Sequence, residues 1–192
     1  MRCDLCRITE ISDADLDRWY QEMNAERKKK CNGLQRTLAR KQCIAADHFI
    51  RKALEELLGT KEFSLRISPS GKPYVEGNSI YFSYAHSDDI LFYAISSRPV
   101  GADVERIRTV SGDPASKICT PGEKEFLSSA KDSEEWNDRF FYLWTRKEAV
   151  FKVEGTLPRR DSGTEVLHPS DGLKIETWEQ DGYVFSVAEK NV

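Results

Sequence analysis

Val100-Gly101-Ala102-Asp103-Val104-Glu105 reads as a strand, with Val100, Ala102 and Val104 alternating against Gly101, Asp103 and Glu105. Successive strand residues point to opposite faces, so Asp103 and Glu105 lie side by side on one face. Downstream, Trp144-Thr145-Arg146-Lys147-Glu148-Ala149-Val150-Phe151-Lys152 reads as the end of a helix spanning about residues 134–154. Trp144, Glu148 and Lys152 are four apart and share one side of it. Three carboxylates converging on one point repel each other unless a cation sits among them. Mg²⁺ suits such an all-oxygen set and keeps open positions for water and phosphate. Lys152, one turn beyond Glu148, would face the same phosphates. For the helical motif alone, an ordinary exposed Glu148/Lys152 pair is the competing reading.

Outward from these stretches the pattern is mixed. An opening strand lies at Cys3–Cys6, and Ser12 and Asp13 are candidate helix caps. A long helix runs from about Leu34 or Thr37 to Leu58, with Gly59 as its stop. Strands follow at Phe63–Ile67, Ile80–Ser83 and Ile90–Ile95. A turn-rich loop lies at Ser68–Pro73, and polar His86–Asp89 separates the last two strands. Thr109–Pro121 reads as loop and Glu123–Ala130 as a short helix. A further loop follows Gly155, and strands at about Leu173–Trp178 and Tyr183–Ala188 are joined through Asp181-Gly182.

The 192 residues, 39% hydrophobic and 32% charged, describe a folded chain rather than a disordered one. No apolar run approaches the roughly 20 residues that span a bilayer, and the first residues have no leader-like stretch. Neither a membrane nor, at a net charge of −3, a nucleic acid is expected as partner. Five cysteines in a chain this size read as reduced thiols of a cytoplasmic protein. Cys3-x-x-Cys6 has no second Cys/His pair at ligand spacing, so it reads as strand.

The two opening stretches resemble the signature of the 4′-phosphopantetheinyl transferases of the surfactin-synthetase-activating type, G-[IV]-D-[IV]-E followed by W-[STC]-x-K-E-[AS]-x-x-K. Glu148 follows Asp103 by 45 positions. Gly71-Lys72-Pro73-Tyr74 and Phe82-Ser83-Tyr84-Ala85-His86-Ser87 also agree, the latter with F-N-[ILV]-S-H-S. Four motifs in order make the resemblance specific.

The resemblance implies an α+β fold of two similar halves in a pseudo-twofold arrangement, residues 1–98 and 99–192, with the active site in the cleft between them. It implies an enzyme of the holo-[acyl-carrier-protein] synthase type. Such an enzyme moves the phosphopantetheine arm of coenzyme A onto a serine of an acyl or peptidyl carrier protein and releases 3′,5′-ADP. Asp103, Glu105 and Glu148 match the metal ligands for Mg²⁺, with Mn²⁺ as a substitute. Lys152 and Glu123 match catalytic residues, Glu123 as the base for the carrier serine. Arg27, Lys30, Lys72, Pro73, Ala85, His86 and Lys152 match the coenzyme A side. Ala85 stands where the family commonly has serine, and Cys43 where it often has threonine. A monomer is expected. The competing functions are a Mg²⁺-dependent phosphohydrolase and a non-catalytic coenzyme A-binding protein.

Overall fold

The computed structural model describes residues 1–155, 163–170 and 172–191. It is a mixed α+β structure built on two three-stranded antiparallel sheets and a short hairpin. In the first sheet, β5 (Ile90–Ser96) lies between β1 (Arg2–Arg7) and β4 (Tyr81–Ser87). In the second, β8 (Tyr183–Lys190) lies between β6 (Val100–Arg106) and β7 (Leu173–Gln180). The hairpin joins β2 (Leu65–Ile67) to β3 (Pro73–Val75).

Every residue of β5 is buried because both its faces are covered. Leu91, Tyr93 and Ile95 pack with Ala46, Ile50 and Leu54 of α3 (Thr37–Leu58). Ile90, Phe92 and Ala94 meet Val100, Ala102 and Val104 of β6 and Phe185 and Val187 of β8. On the far face of the second sheet, Val184 and Ala188 pack against Leu143, Ala149, Val150 and Val153 of α6 (Ser133–Glu154). The order through the molecule is therefore helix, sheet, sheet, helix. Both long helices end at a left-handed glycine, Gly59 (φ 67°) and Gly155 (φ 67°), where a side chain would be strained.

The smaller helices are capped by side chains, the first of them by Ser12 as the sequence suggests. Ser12 accepts from Asp15 N at the start of α1 (Asp13–Glu22), and Asn24 does so from Arg27 N for α2 (Ala25–Asn32). The region read as loop from Thr109 to Pro121 contains a one-turn helix, α4 (Ala115–Ile118), before α5 (Pro121–Ser128). The polar His86–Asp89 stretch is shorter as a turn than expected. β4 continues through Ser87, and Asp88 (φ 45°) takes the positive dihedral of the tight turn. The loop expected beyond Gly155 falls mostly on residues 156–162, outside the described residues. No described helix is long and apolar enough to cross a membrane.

The two sheets meet along β4 and β6. Ser83 Oγ accepts from Ala102 N at 3.0 Å, and Ser87 Oγ accepts from Arg106 N at 3.1 Å. The two contacts share one sequence offset, so the strands run in the same direction, joined by serine hydroxyls in place of a backbone ladder.

Candidate active site

Gly101 lets the site form. A Cβ there would lie 1.9 Å from Ala149 O and 2.7 Å from Val153 N, so β6 lies directly against the backbone of α6. That approach brings the face of β6 carrying Asp103 and Glu105 up to the face of α6 carrying Trp144, Glu148 and Lys152. The rotation of α6 is held by buried polar groups: Thr145 Oγ1 and Ser186 Oγ are 2.8 Å apart, and Arg146 Nε donates to Val166 O at 2.8 Å.

Asp103 is only 5% exposed. Its Oδ1 accepts from Lys152 Nζ at 2.7 Å, while Oδ2 is buried with no hydrogen-bond partner. Lys152 Nζ also donates to Ala102 O at 3.1 Å. Burial pushes the Asp103 carboxyl up to about 7, against the pull of Lys152 and with the help of Glu105 and Glu148. Burial likewise raises the pKa of Glu148, with Glu105 adding to the rise. Glu105 is held from three elements: Ser87 Oγ donates to Oε2 at 3.0 Å, Trp144 Nε1 to Oε1 at 3.3 Å, and Arg108 Nη1 stands 3.5 Å from Oε2.

Among the described residues no group of three His, Cys, Asp or Glu side chains closes into a metal cage as it stands. The donor set nonetheless suits a hard cation. The carboxyls of Asp103 and Glu148 are both raised, by burial and by their carboxylate neighbours, and Asp103 has a buried oxygen without a partner. Mg²⁺ needs few protein ligands, since water and phosphate complete its shell.

A cleft of about 360 Å³ opens beside this group, lined by Lys72, Pro73, Phe82, Tyr84, Glu148 and Lys152 among others. His86 lies on β4 and reaches the surface, with Lys152, Glu105 and Lys30 as charged neighbours. Partial burial lowers its pKa below the usual 6.5. Lys30 is exposed on α2, and Ala85 is buried in the layer between the sheets.

Three further side chains named from the sequence are engaged by partners within the protein. Arg27 Nε donates to the buried Asp47 at 2.9 Å, which also accepts from Arg51 Nε at 3.1 Å, so its guanidinium is anchored within the N-terminal part. Lys72, expected on a phosphate or the adenine of coenzyme A, donates to Val100 O (3.0 Å), Lys152 O and Val153 O (3.4 Å), and burial lowers its pKa to about 8. Glu123, expected as the base, is 0% exposed and serves the fold. Its oxygens take Thr120 N (2.8 Å), Val166 N (3.0 Å) and the buried Lys147 ammonium (2.7 Å). That closes the capping box of α5 and leaves no face for a carrier serine.

The residues that sequence reasoning missed are Ser83, Ser87 and the indole of Trp144 as orienters. Ser87 was legible as part of a motif, but its partner on another strand was not.

Residues 99–187 match the sequence pattern of the 4′-phosphopantetheinyl transferase superfamily. The chain is 28% identical to the 4′-phosphopantetheinyl transferase ffp of Bacillus subtilis over 86% of its own length and 76% of that protein's. It is 27% identical to 4′-phosphopantetheinyl transferase Sfp of Bacillus subtilis (strain 168) over the same shares. With 4′-phosphopantetheinyl transferase gsp of Aneurinibacillus migulanus it shares 35% identity over 58% of this chain and 47% of that protein. The matched segment carries Asp103, Glu105, Glu148 and Lys152, the side chains gathered between β6 and α6, and over that segment the chain is similar to the 4′-phosphopantetheinyl transferase superfamily.

Proposed function

We propose that this protein transfers the 4′-phosphopantetheine arm of coenzyme A to a serine of an acyl or peptidyl carrier protein, releasing 3′,5′-ADP. The observation that carries the reading is the half-satisfied Asp103 carboxylate. It stands beside Glu105, Glu148 and Lys152 in a helix-packed site with family motifs. In this reading the two sheets, each under a 22-residue helix, belong to related halves joined near residue 98.

The serine oxygen attacks the phosphorus on the pantetheine side of the pyrophosphate, and the bond to 3′,5′-ADP breaks. Such a step needs positioning and charge neutralisation more than covalent help. Asp103, Glu105 and Glu148 would hold Mg²⁺, which would supply positive charge beside the pyrophosphate. Lys152 orients Asp103 and offers its ammonium to charge building on the phosphoryl oxygens. His86 and Lys30, near one another at the surface, hold the 3′-phosphate end of coenzyme A. Ser87 and Trp144 keep Glu105 aimed. Glu123 being sealed, Glu148 is the carboxylate on the cleft wall that takes the serine proton.

The carrier approaches along the segment that leaves β6, where Arg108 and Lys117 are exposed. The protein works as a cytoplasmic monomer. Intact-mass spectrometry of several apo-carriers with enzyme, coenzyme A and Mg²⁺ tests the function. One phosphopantetheine added per carrier is expected. Release of free phosphopantetheine with no carrier modified would establish a phosphohydrolase in its place.

A further inference from the structure

Lys72 belongs to the Ser68–Pro73 turn, yet its ammonium lies on the other side of the cleft. All three of its acceptors are backbone carbonyls there: Val100 O at the start of β6, and Lys152 O and Val153 O in the last turn of α6. The last carbonyls of a helix have no intrahelical donor and carry partial negative charge, which favours a cation. The turn is seated on the helix end. A Cβ at Gly155 would meet Ser70 Oγ at 3.0 Å and the Lys72 stem at 3.7 Å. The turn is also braced from within. Ser68 N donates to Lys72 O at 2.9 Å, and Lys72 N donates to Ser68 Oγ at 3.0 Å.

An ammonium has three hydrogens. With three carbonyl acceptors in place, none remains for a phosphate. We propose that Lys72 is a positioning residue that clamps the end of α6 to the start of β6. It thereby holds Lys152 against Asp103 and Glu148 on the cleft wall. The clamp rests on the transferase reading for its consequence, because one of the carbonyls that accept from Lys72 belongs to Lys152. A small shift of that turn would move the Lys152 ammonium away from both Asp103 Oδ1 and Ala102 O. Pro73 follows directly and stiffens the turn that presents the lysine.

Lys72→Met keeps the apolar stem and removes the donors, while Lys72→Arg restores donors in a different shape. Steady-state kinetics with coenzyme A and an apo acyl carrier protein should show kcat for Lys72→Met reduced about ten- to hundredfold, as expected for misplaced catalytic groups. KM for coenzyme A should stay within about twofold, and Lys72→Arg should recover part of the rate. Amide hydrogen exchange over residues 149–155 should rise in Lys72→Met without a global change, a readout independent of turnover.

A tenfold rise in KM at unchanged kcat would make Lys72 a phosphate ligand and overturn the clamp. So would a lower unfolding temperature with both constants unchanged, or unaltered exchange over 149–155. If the wild-type protein modifies no carrier, the transferase reading fails, and the exchange experiment still decides the clamp.

Discussion

Lys152 Nζ lies 2.7 Å from Asp103 Oδ1 and leaves Oδ2 of the same carboxylate buried and without a partner. An unsatisfied buried oxygen is costly, and one lysine between three carboxylates offsets only part of their repulsion. Asp103→Ala and Glu148→Ala should therefore lose most turnover while the metal-free protein keeps its stability or gains some. Glu105→Ala should be milder, with water replacing its ligand bond. Excess chelator should abolish carrier modification. Full activity in chelator, read by intact mass, would remove the metal from the mechanism.

Gly101 allows no side chain. Its Cβ would fall 1.9 Å from Ala149 O, a backbone atom inside a helix that cannot withdraw locally. Gly101→Ala should cost about 3 kcal/mol or more, at or beyond the upper end for overpacking, and should lose activity with the fold. Urea unfolding measures it, and a midpoint near the wild-type value would show that β6 and α6 separate freely.

Removing the 3′-phosphate from the substrate separates recognition from chemistry. Lys30→Ala and His86→Ala should each raise KM for coenzyme A roughly tenfold, the usual scale for a lost charge-assisted contact. They should change KM for dephospho-coenzyme A much less. Equal losses on both substrates would place these residues elsewhere in the reaction.

His48 predicts an acid-sensitive fold. Its ring stacks on Trp19 with centroids 3.9 Å apart, and burial lowers its pKa from 6.5. Glu22 and Glu55 favour its charged form, while Lys52 and Arg18 oppose it. As pH falls through about 6.5, the unfolded chain takes up a proton that the folded chain resists, so stability is lost on the acid side. His86 is shifted in the same direction and adds to the slope. The thermal midpoint should fall between about pH 7 and pH 5, with a shallower fall in His48→Phe. An identical slope in that variant would clear His48.

Carrier binding should depend on Arg108 and Lys117. Ile118, on the same segment, packs partly into the core and is a poor test residue. Arg108→Ala with Lys117→Ala should raise carrier KM severalfold and leave coenzyme A KM unchanged, and added salt should weaken binding because exposed charges are screened. Unaltered carrier KM would move the docking surface.

Much of the site was legible because it rests on local periodicity. Alternation in Val100–Glu105 put Asp103 and Glu105 on one face, and helical spacing aligned Trp144, Glu148 and Lys152. Both survive in the structure, since strand and helix geometry set them without reference to the rest of the chain. Strand ends were less legible. His86 and Ser87 looked like turn residues, yet pairing with Leu91 and Ile90 extends β4 through both.

What the sequence determined by itself was therefore which residue types could gather, and on which face of which element. The tertiary structure alone decided their partners. Glu123 reads as a first-turn carboxylate, but only packing of α5 against Lys147 and Val166 buries it. Lys72 reads as a solvated loop lysine, but only the approach of its turn to the end of α6 gives its ammonium three carbonyls. A side chain's charge and reach are written in its own residue. The groups that satisfy it are brought by segments dozens of positions away, and their arrival depends on how sheets and helices pack.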